Sequence, residues 1–176
     1  MYSHRHLVFA FVGMSLIAAS AASADPAYRA GDVVDFFSKS MKGGLTRGIC
    51  VGTAQECDKN QEPPPSNFDM LVTFNINSAE LTGDARANLL EFAKALNDPR
   101  LTVARFAVEG HTDALGPDDY NMALSIRRAE SVVSFLVSRG VSPDRFDTRG
   151  FGETAPRVDD PLDSVNRRVE TRIILQ

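Results

Sequence analysis

Histidine is scarce in this chain of 176 residues: there are three, and two of them, His4 and His6, fall within the first six positions. Only His111 remains beyond them. Cysteine is scarcer still, with Cys50 and Cys57 alone. A zinc site recruits three or more nitrogen or sulfur ligands, and one histidine plus a pair of cysteines does not supply them. No constellation of nucleophile and base is visible either, so neither an enzyme nor a metal or other cofactor is expected. No stretch repeats the strands of about ten alternating residues that a membrane barrel requires. Basic residues do not dominate. With Arg5 set aside, 18 basic residues face 23 acidic ones, a net charge of about −5. Nucleic acid calls for a basic face, so it is not an expected partner.

Long apolar runs are also few. One runs from Leu7 to about Ala19, after His4-Arg5-His6 and before Ala22-Ser23-Ala24. A basic start, an apolar core and an A-x-A site read as a secretory signal over residues 1–24, cut before Asp25; the other reading is an uncleaved anchor. The run falls short of the roughly 20 residues of a comfortable membrane span. No cysteine stands near the cut to carry a lipid. The expected location is therefore the periplasm, with outer-membrane association open. In an exported protein the close pair Cys50 and Cys57 reads as a disulfide, stabilising by roughly 2–3 kcal/mol on the chain-entropy account.

Residues 25–60 are weakly patterned. "AGDVVDFFSKSMKG" suits a small helix with Val33, Val34, Phe36 and Phe37 as its apolar side, and glycines 43, 44, 48 and 52 then interrupt regular structure. "QEPPPSNF" begins a proline-rich linker, taken as 61–67, and the domain boundary is placed there. From residue 68 onward the pattern sharpens. "MLVTFNI" reads as a strand. "LTGDARANLLEFAKAL" reads as a helix capped by Thr82, with Leu81, Ala85, Leu89, Phe92 and Leu96 as its stripe. A second strand is placed near Val103–Glu109. A long helix follows, with Pro117 in its first turn, Asp118 and Asp119 at the positive end of its dipole, and Gly140 just past its end. "RFDTRGFGE" and "NRRVETRIIL" supply two more strands. The order β-α-β-α-β-β implies an α/β (α+β) two-layer sandwich.

The chemistry concentrates in "EGHTDALGPDDYNMALSIRRAESVV", residues 109–133. At 100° per residue, Met122, Ser125, Ile126, Ala129, Val132, Val133 and Leu136 share the helix face expected to meet the sheet. Asn121, Leu124 and Arg128 fall on an adjacent, unburied edge, and Arg127 points to solvent. Glu109, His111 and Asp113 would line one side of a straight strand. Gly110 and the turn residues Ala114–Gly116 end the strand and scatter them. On spacing alone three readings stay open: a metal site, a pair of catalytic acids, and a bland pairing in which Asp113 caps a turn and binds Arg128.

Three motifs, G-H-T-D, N-x-x-L-S-x-x-R-A-x-x-V and N-R-R-V-E, together with "RGFGETAP", resemble the peptidoglycan-binding domain shared by the C-terminal half of outer-membrane protein A, the peptidoglycan-associated lipoprotein and flagellar stator proteins. The resemblance covers residues 68–176. It implies non-covalent binding of peptidoglycan through the diaminopimelate of the stem peptide, tethering or positioning the protein at the cell wall. The free end of that residue carries an ammonium and a carboxylate on one carbon. Carried onto this chain, the acid that meets the first is Asp113 and the base that meets the second is Arg128. The resemblance adds Thr112, Asn121 and Leu124, with Asn77 after the first strand and Arg167 as the first arginine of N-R-R, and makes His111 scaffolding. One departure is visible: the family often has an acid after the first-strand phenylalanine, whereas Phe74 here precedes Asn75. An alternative function is a periplasmic adaptor that meets an envelope protein through residues 25–67.

Overall fold

The computed structural model describes residues 24–45 and 67–174. The signal segment up to residue 23, the Cys50–Cys57 pair and the prolines of the linker lie outside the described residues. Helix α1 (Ala30–Leu45) comes first, followed by strand β1 (Asn67–Thr73), helix α2 (Gly83–Leu96), strand β2 (Arg105–Gly110), helix α3 (Asp118–Ser138), strand β3 (Phe146–Gly150) and strand β4 (Arg168–Ile174). Short 3-10 turns at Pro143–Arg145 and Ser164–Asn166 precede β3 and β4.

The sheet runs β1-β4-β2-β3. Strand β4 lies antiparallel between β1 and β2, and β2 pairs with β3 in parallel. Alternation along the strands decides the layers. Phe106, Val108, Val169 and Ile173 point into the core beneath the helices. Their neighbours Glu109, Glu170 and Arg172 point the other way and pair off, Arg172 with Glu109 at 2.8 Å and Arg168 with Glu170 at 2.6 Å. The result is the expected two-layer sandwich.

Helix α2 follows its sequence closely. Thr82 Oγ1 accepts from the Ala85 amide at 3.2 Å, and Leu81, Ala85, Leu89, Phe92 and Leu96 are all buried. Helix α3 starts one residue after Pro117, which caps it rather than entering its first turn. It ends in a Schellman arrangement: Val141 donates to the Leu136 carbonyl, Gly140 donates to that of Val137, and Gly140 takes φ +89°.

Elsewhere the structure departs from the sequence reading. Strand β1 starts earlier than "MLVTFNI" and breaks register between Asp69 and Val72, where Leu71 adopts φ +49° and turns outward. This is a bulge of two residues, Met70 and Leu71, which fall between the partners of the adjacent Val169 and Glu170 and kink the strand. Val103 lies outside β2 and is exposed. Helix α1 continues through Gly43 and Gly44 to Leu45. It also shares the core with the rest of the domain: Phe37 is fully buried, with ring centroids 5.0 Å from Phe106, 5.8 Å from Phe68 and 6.2 Å from Phe92.

The largest departure concerns the face of α3. Ser125, Ala129, Val132 and Leu136 are buried as expected, but Met122 and Ile126 are exposed, and Asn121, Leu124 and Arg128 are buried instead. The strand ends explain the rotation. A Cβ on Gly110 would lie 2.0 Å from the carbonyl oxygen of Ser125, so glycine lets the helix backbone rest directly on the end of β2. That contact turns Ser125 inward and carries Leu124 and Arg128 with it.

Candidate functional site

Where β2 ends, the chain turns into the loop bearing His111, Thr112 and Asp113. Strand β1 ends at the same level in a turn, closed by the Ser78 amide donating to the Asn75 carbonyl at 3.2 Å. Asn77 sits in that turn at φ +56°, a left-handed conformation that asparagine adopts more readily than most residues. Between the two loops and the start of α3 lies a cleft of about 370 Å³. Asn77, Asp113, Asn121, Leu124, Arg128 and Arg167 line it. Its rim adds the exposed side chains Ile76, Leu115 and Tyr120. Of the seven ligand-binding residues expected from the sequence, the cleft gathers all but Thr112, whose hydroxyl is buried without a hydrogen-bond partner among the described residues.

Arg128 is wholly buried, and its guanidinium is fully oriented. Nε donates to Ser78 O at 3.0 Å, Nη1 to His111 O at 3.0 Å and Nη2 to Asn75 O at 3.2 Å. The group also lies 5.1 Å from the ring centre of Phe74. It therefore ties the turn after β1 to the loop after β2. Burial pushes its pKa down to about 10, against the opposing pull of Asp113, so it remains a cation at neutral pH. The departure at Asn75 leaves this contact intact, because the arginine uses the backbone carbonyl there and not the side chain.

The bland pairing of Asp113 with Arg128 is not what forms. Asp113 Oδ2 accepts from Arg167 Nη1 at 2.7 Å, and Oδ1 accepts from the Leu115 amide at 3.4 Å as a turn cap. Arg167 in turn donates through Nε to Phe74 O at 3.3 Å. Arg127, on the solvent side, stacks 5.9 Å from Tyr120. The two neighbouring arginines thus differ as the helical angles imply, but the inner one is core and not edge.

Glu109, His111 and Asp113 are scattered, as the end of β2 at Gly110 requires. Glu109 binds Arg172 on the open face of the sheet. His111 is buried, stacked on Phe151 at 5.3 Å, with neither ring nitrogen hydrogen-bonded among the described residues. Burial first, and Arg168 second, push its pKa down to about 4, so the ring is neutral at pH 7. Among the described residues no group of three or more histidine, cysteine or acidic side chains could hold a metal.

Sequence reasoning missed Glu153. Its carboxylate accepts from Asn121 Nδ2 at 2.5 Å, and it stands in "RGFGETAP", where the two glycines mark a tight turn next to α3. A second depression, about 580 Å³, lies between α2 and α3 and is lined by Arg86, Arg127, Ser131 and Phe135 among others. It is the larger of the two, but the smaller cleft is the candidate site because its wall holds the buried charges.

The OmpA family model matches residues 73–170. An outer membrane protein A of Escherichia fergusonii is 38% identical over 97 residues, covering 55% of this chain and 40% of that protein. The outer membrane porin F of Pseudomonas fluorescens is 47% identical over 72 residues, covering 39% of this chain and 22% of that one. The chain thus spans less than half the length of these curated relatives. Among solved structures, the peptidoglycan-associated lipoprotein from Burkholderia pseudomallei superposes with a TM-score of 0.54 at 25% identity, covering 66% of this chain and 97% of that one. The C-terminal domain of Helicobacter pylori MotB shares the fold, with a TM-score of 0.54 at 24% identity over 60% of this chain and 84% of that one.

Proposed function

The chain belongs to the OmpA family, and on that premise we propose that its cleft binds peptidoglycan by the free amino-acid end of diaminopimelate. The observation that carries the reading is the gathering of Asp113, Arg128 and Arg167 in one cleft. A zwitterion with both charges on one carbon needs an anion and a cation a few ångströms apart, held before it arrives. Arginine has five N–H donors. Three of those on Arg128 are taken by carbonyls, which leaves one on each terminal nitrogen for a carboxylate. Asp113 keeps free lone pairs beside its Arg167 contact for the ammonium. The apolar rim of Ile76, Leu115 and Tyr120 suits the methylene chain that joins the ligand's two ends.

The energetics favour reversible attachment. Each charge-assisted hydrogen bond contributes roughly 1.5–3 kcal/mol, and association itself costs at least about 4 kcal/mol. A few such bonds therefore give modest affinity at one site, and a wall with many repeated stems raises retention by multivalency where the protein is itself tethered. A binding module rather than an enzyme follows, acting in the cell envelope as the named relatives do. Among the described residues no helix is long and apolar enough to cross a membrane.

The test is co-sedimentation with purified cell wall. Asp113→Asn removes the acceptor charge while preserving shape, and is expected to cut the bound fraction by roughly tenfold or more, the worth of one charge-assisted contact. If Asp113→Asn sediments like the parent, the assignment of the cleft is wrong.

A further inference from the structure

Asn121 is the one amide side chain buried in the wall of the cleft, and its direction is not free. An asparagine amide has a donating end and an accepting end of nearly equal size. Its Nδ2 donates to Glu153 Oε2 at 2.5 Å. A carboxylate only accepts, so Glu153 tolerates a single orientation, with Nδ2 toward itself and Oδ1 turned away. A glutamine or water in that place would accept either orientation.

The turn that carries Glu153 is itself held in place. Gly152 takes φ +55°, and its amide donates to Ser125 Oγ at 2.9 Å. Its carbonyl accepts from the Thr112 amide at 2.8 Å, one residue before Asp113. A Cβ at Gly152 would lie 3.2 Å from the Met122 backbone nitrogen, so the turn packs directly on α3 beside Asn121. The same turn therefore braces both Asn121 and the loop of Asp113.

We propose that Glu153 is a positioning residue for the cleft: it locks the Asn121 amide so that its carbonyl oxygen, together with Asp113, receives the ligand's ammonium. This rests on the wall-binding reading above and sharpens it. Charge agrees with the assignment. With Glu153 counted, two guanidinium groups, Arg128 and Arg167, face two carboxylates, and the cleft with its support is neutral overall. A neutral zwitterion leaves that balance undisturbed, whereas a plain amine or a plain acid does not.

The experiment compares two soluble ligands by calorimetry: a muramyl tripeptide ending in diaminopimelate, and its counterpart with hydrogen in place of the distal amino group. Glu153→Gln keeps size and contact but no longer dictates the orientation of Asn121. It is expected to weaken the amino-bearing ligand by roughly three- to tenfold, about one hydrogen bond, and to leave the deaminated one unchanged. In an Asn121→Ala background the same substitution should change nothing further. Equal loss on both ligands, full loss in the Asn121→Ala background, or parental binding by Glu153→Gln each overturns the proposal. If the parent protein binds neither ligand, the wall-binding reading fails on its own. The side-chain amide signals of Asn121 in a 15N–1H spectrum then still decide the lock: they move in Glu153→Gln if it exists, and unmoved signals overturn it.

Discussion

Replacing Arg128 with lysine tests whether this residue supports the fold, besides the ligand contact proposed for it. The guanidinium serves three carbonyls on two separate loops, those of Ser78, His111 and Asn75. A lysine keeps the charge but ends in one nitrogen, which can reach one of these carbonyls in a buried site. Two acceptors then lose their donor. Each bond to a charged group contributes about 1.5–3 kcal/mol, and local water entry recovers part of the loss. The expected destabilisation is about 2–4 kcal/mol, which at a urea m-value of about 2 kcal/mol/M lowers the unfolding midpoint by about 1–2 M. Asp113→Asn is the control. It weakens a single ion pair with Arg167, between side chains that both retain some exposure, and should cost less than about 1 kcal/mol. Urea unfolding followed by circular dichroism measures both. If Arg128→Lys unfolds at the parental midpoint, the three carbonyl bonds do not support the fold as argued. The comparison also shows why Asp113→Asn is the cleaner probe of binding: a loss of binding in Arg128→Lys would mix two causes.

Phe37→Ala should destabilise by about 3–5 kcal/mol, the usual cost of emptying a buried phenylalanine site, and a chain beginning at Ser66 should be at least as unstable; parental urea midpoints would separate α1 from the core. His111 makes stability depend on pH. Its folded pKa is held near 4, while the unfolded ring titrates near 6.5, so unfolding takes up a proton between these values. The contribution is complete above pH 6.5 and is lost as pH falls toward 4, by up to about 3 kcal/mol at about 1.4 kcal/mol per pKa unit. Melting curves of the parent should fall more steeply from pH 7 to 4.5 than those of His111→Asn, and parallel curves would count against the buried neutral ring. Incubation with purified cell wall should release no soluble muropeptides, as chromatography of the supernatant would detect.

Some of this structure was readable from the sequence, because short-range rules set it. Helix α2 is one such case: a threonine cap and an apolar stripe at spacings of three and four leave few alternatives. Gly140 is another, since a helix end that needs a left-handed residue selects glycine. The face of α3 was readable only in part: Ser125, Ala129, Val132 and Leu136 are buried as periodicity expects, whereas Met122 and Ile126 are not. Its most apolar stripe includes Met122 and Ile126, and periodicity assigns that stripe to the sheet. What decides the face is a contact between distant parts of the chain, Gly110 against the Ser125 carbonyl, together with three carbonyls that satisfy Arg128 once it is inside. Periodicity records which residues are apolar and carries no record of which polar ones will find partners. The bulge at Leu71 is hidden for the same reason. Its left-handed backbone is steadied by Asp69 Oδ1, which accepts from the Leu71 amide at 2.8 Å, and "MLVTFNI" contains no glycine or asparagine at that point to signal it. The candidate site was more legible than the helix that carries it, since the motifs name its residues. Its supporting contacts, Arg167 to Asp113 and Glu153 to Asn121, were not legible, because each joins elements far apart in the chain.

Arg145 shows what singles Arg128 out. It too is buried and donates to three carbonyls, those of Ala104, Leu96 and Leu101, and it too lies over an aromatic ring, Phe106 at 5.5 Å. A buried arginine wrapped in carbonyls is therefore a structural device that occurs twice among the described residues, and by itself marks no ligand. Arg145 lines neither depression. Arg128 lines a cleft that also holds a carboxylate, a second guanidinium and an oriented amide. In both places the carbonyls hold a cation rigidly without neutralising it. At Arg145 that rigidity joins α2 to β3 and the loop before β2. At Arg128 it leaves a fixed positive charge in the wall of the cleft that Asp113 also lines, and the zwitterion site proposed above rests on that pairing of fixed charges.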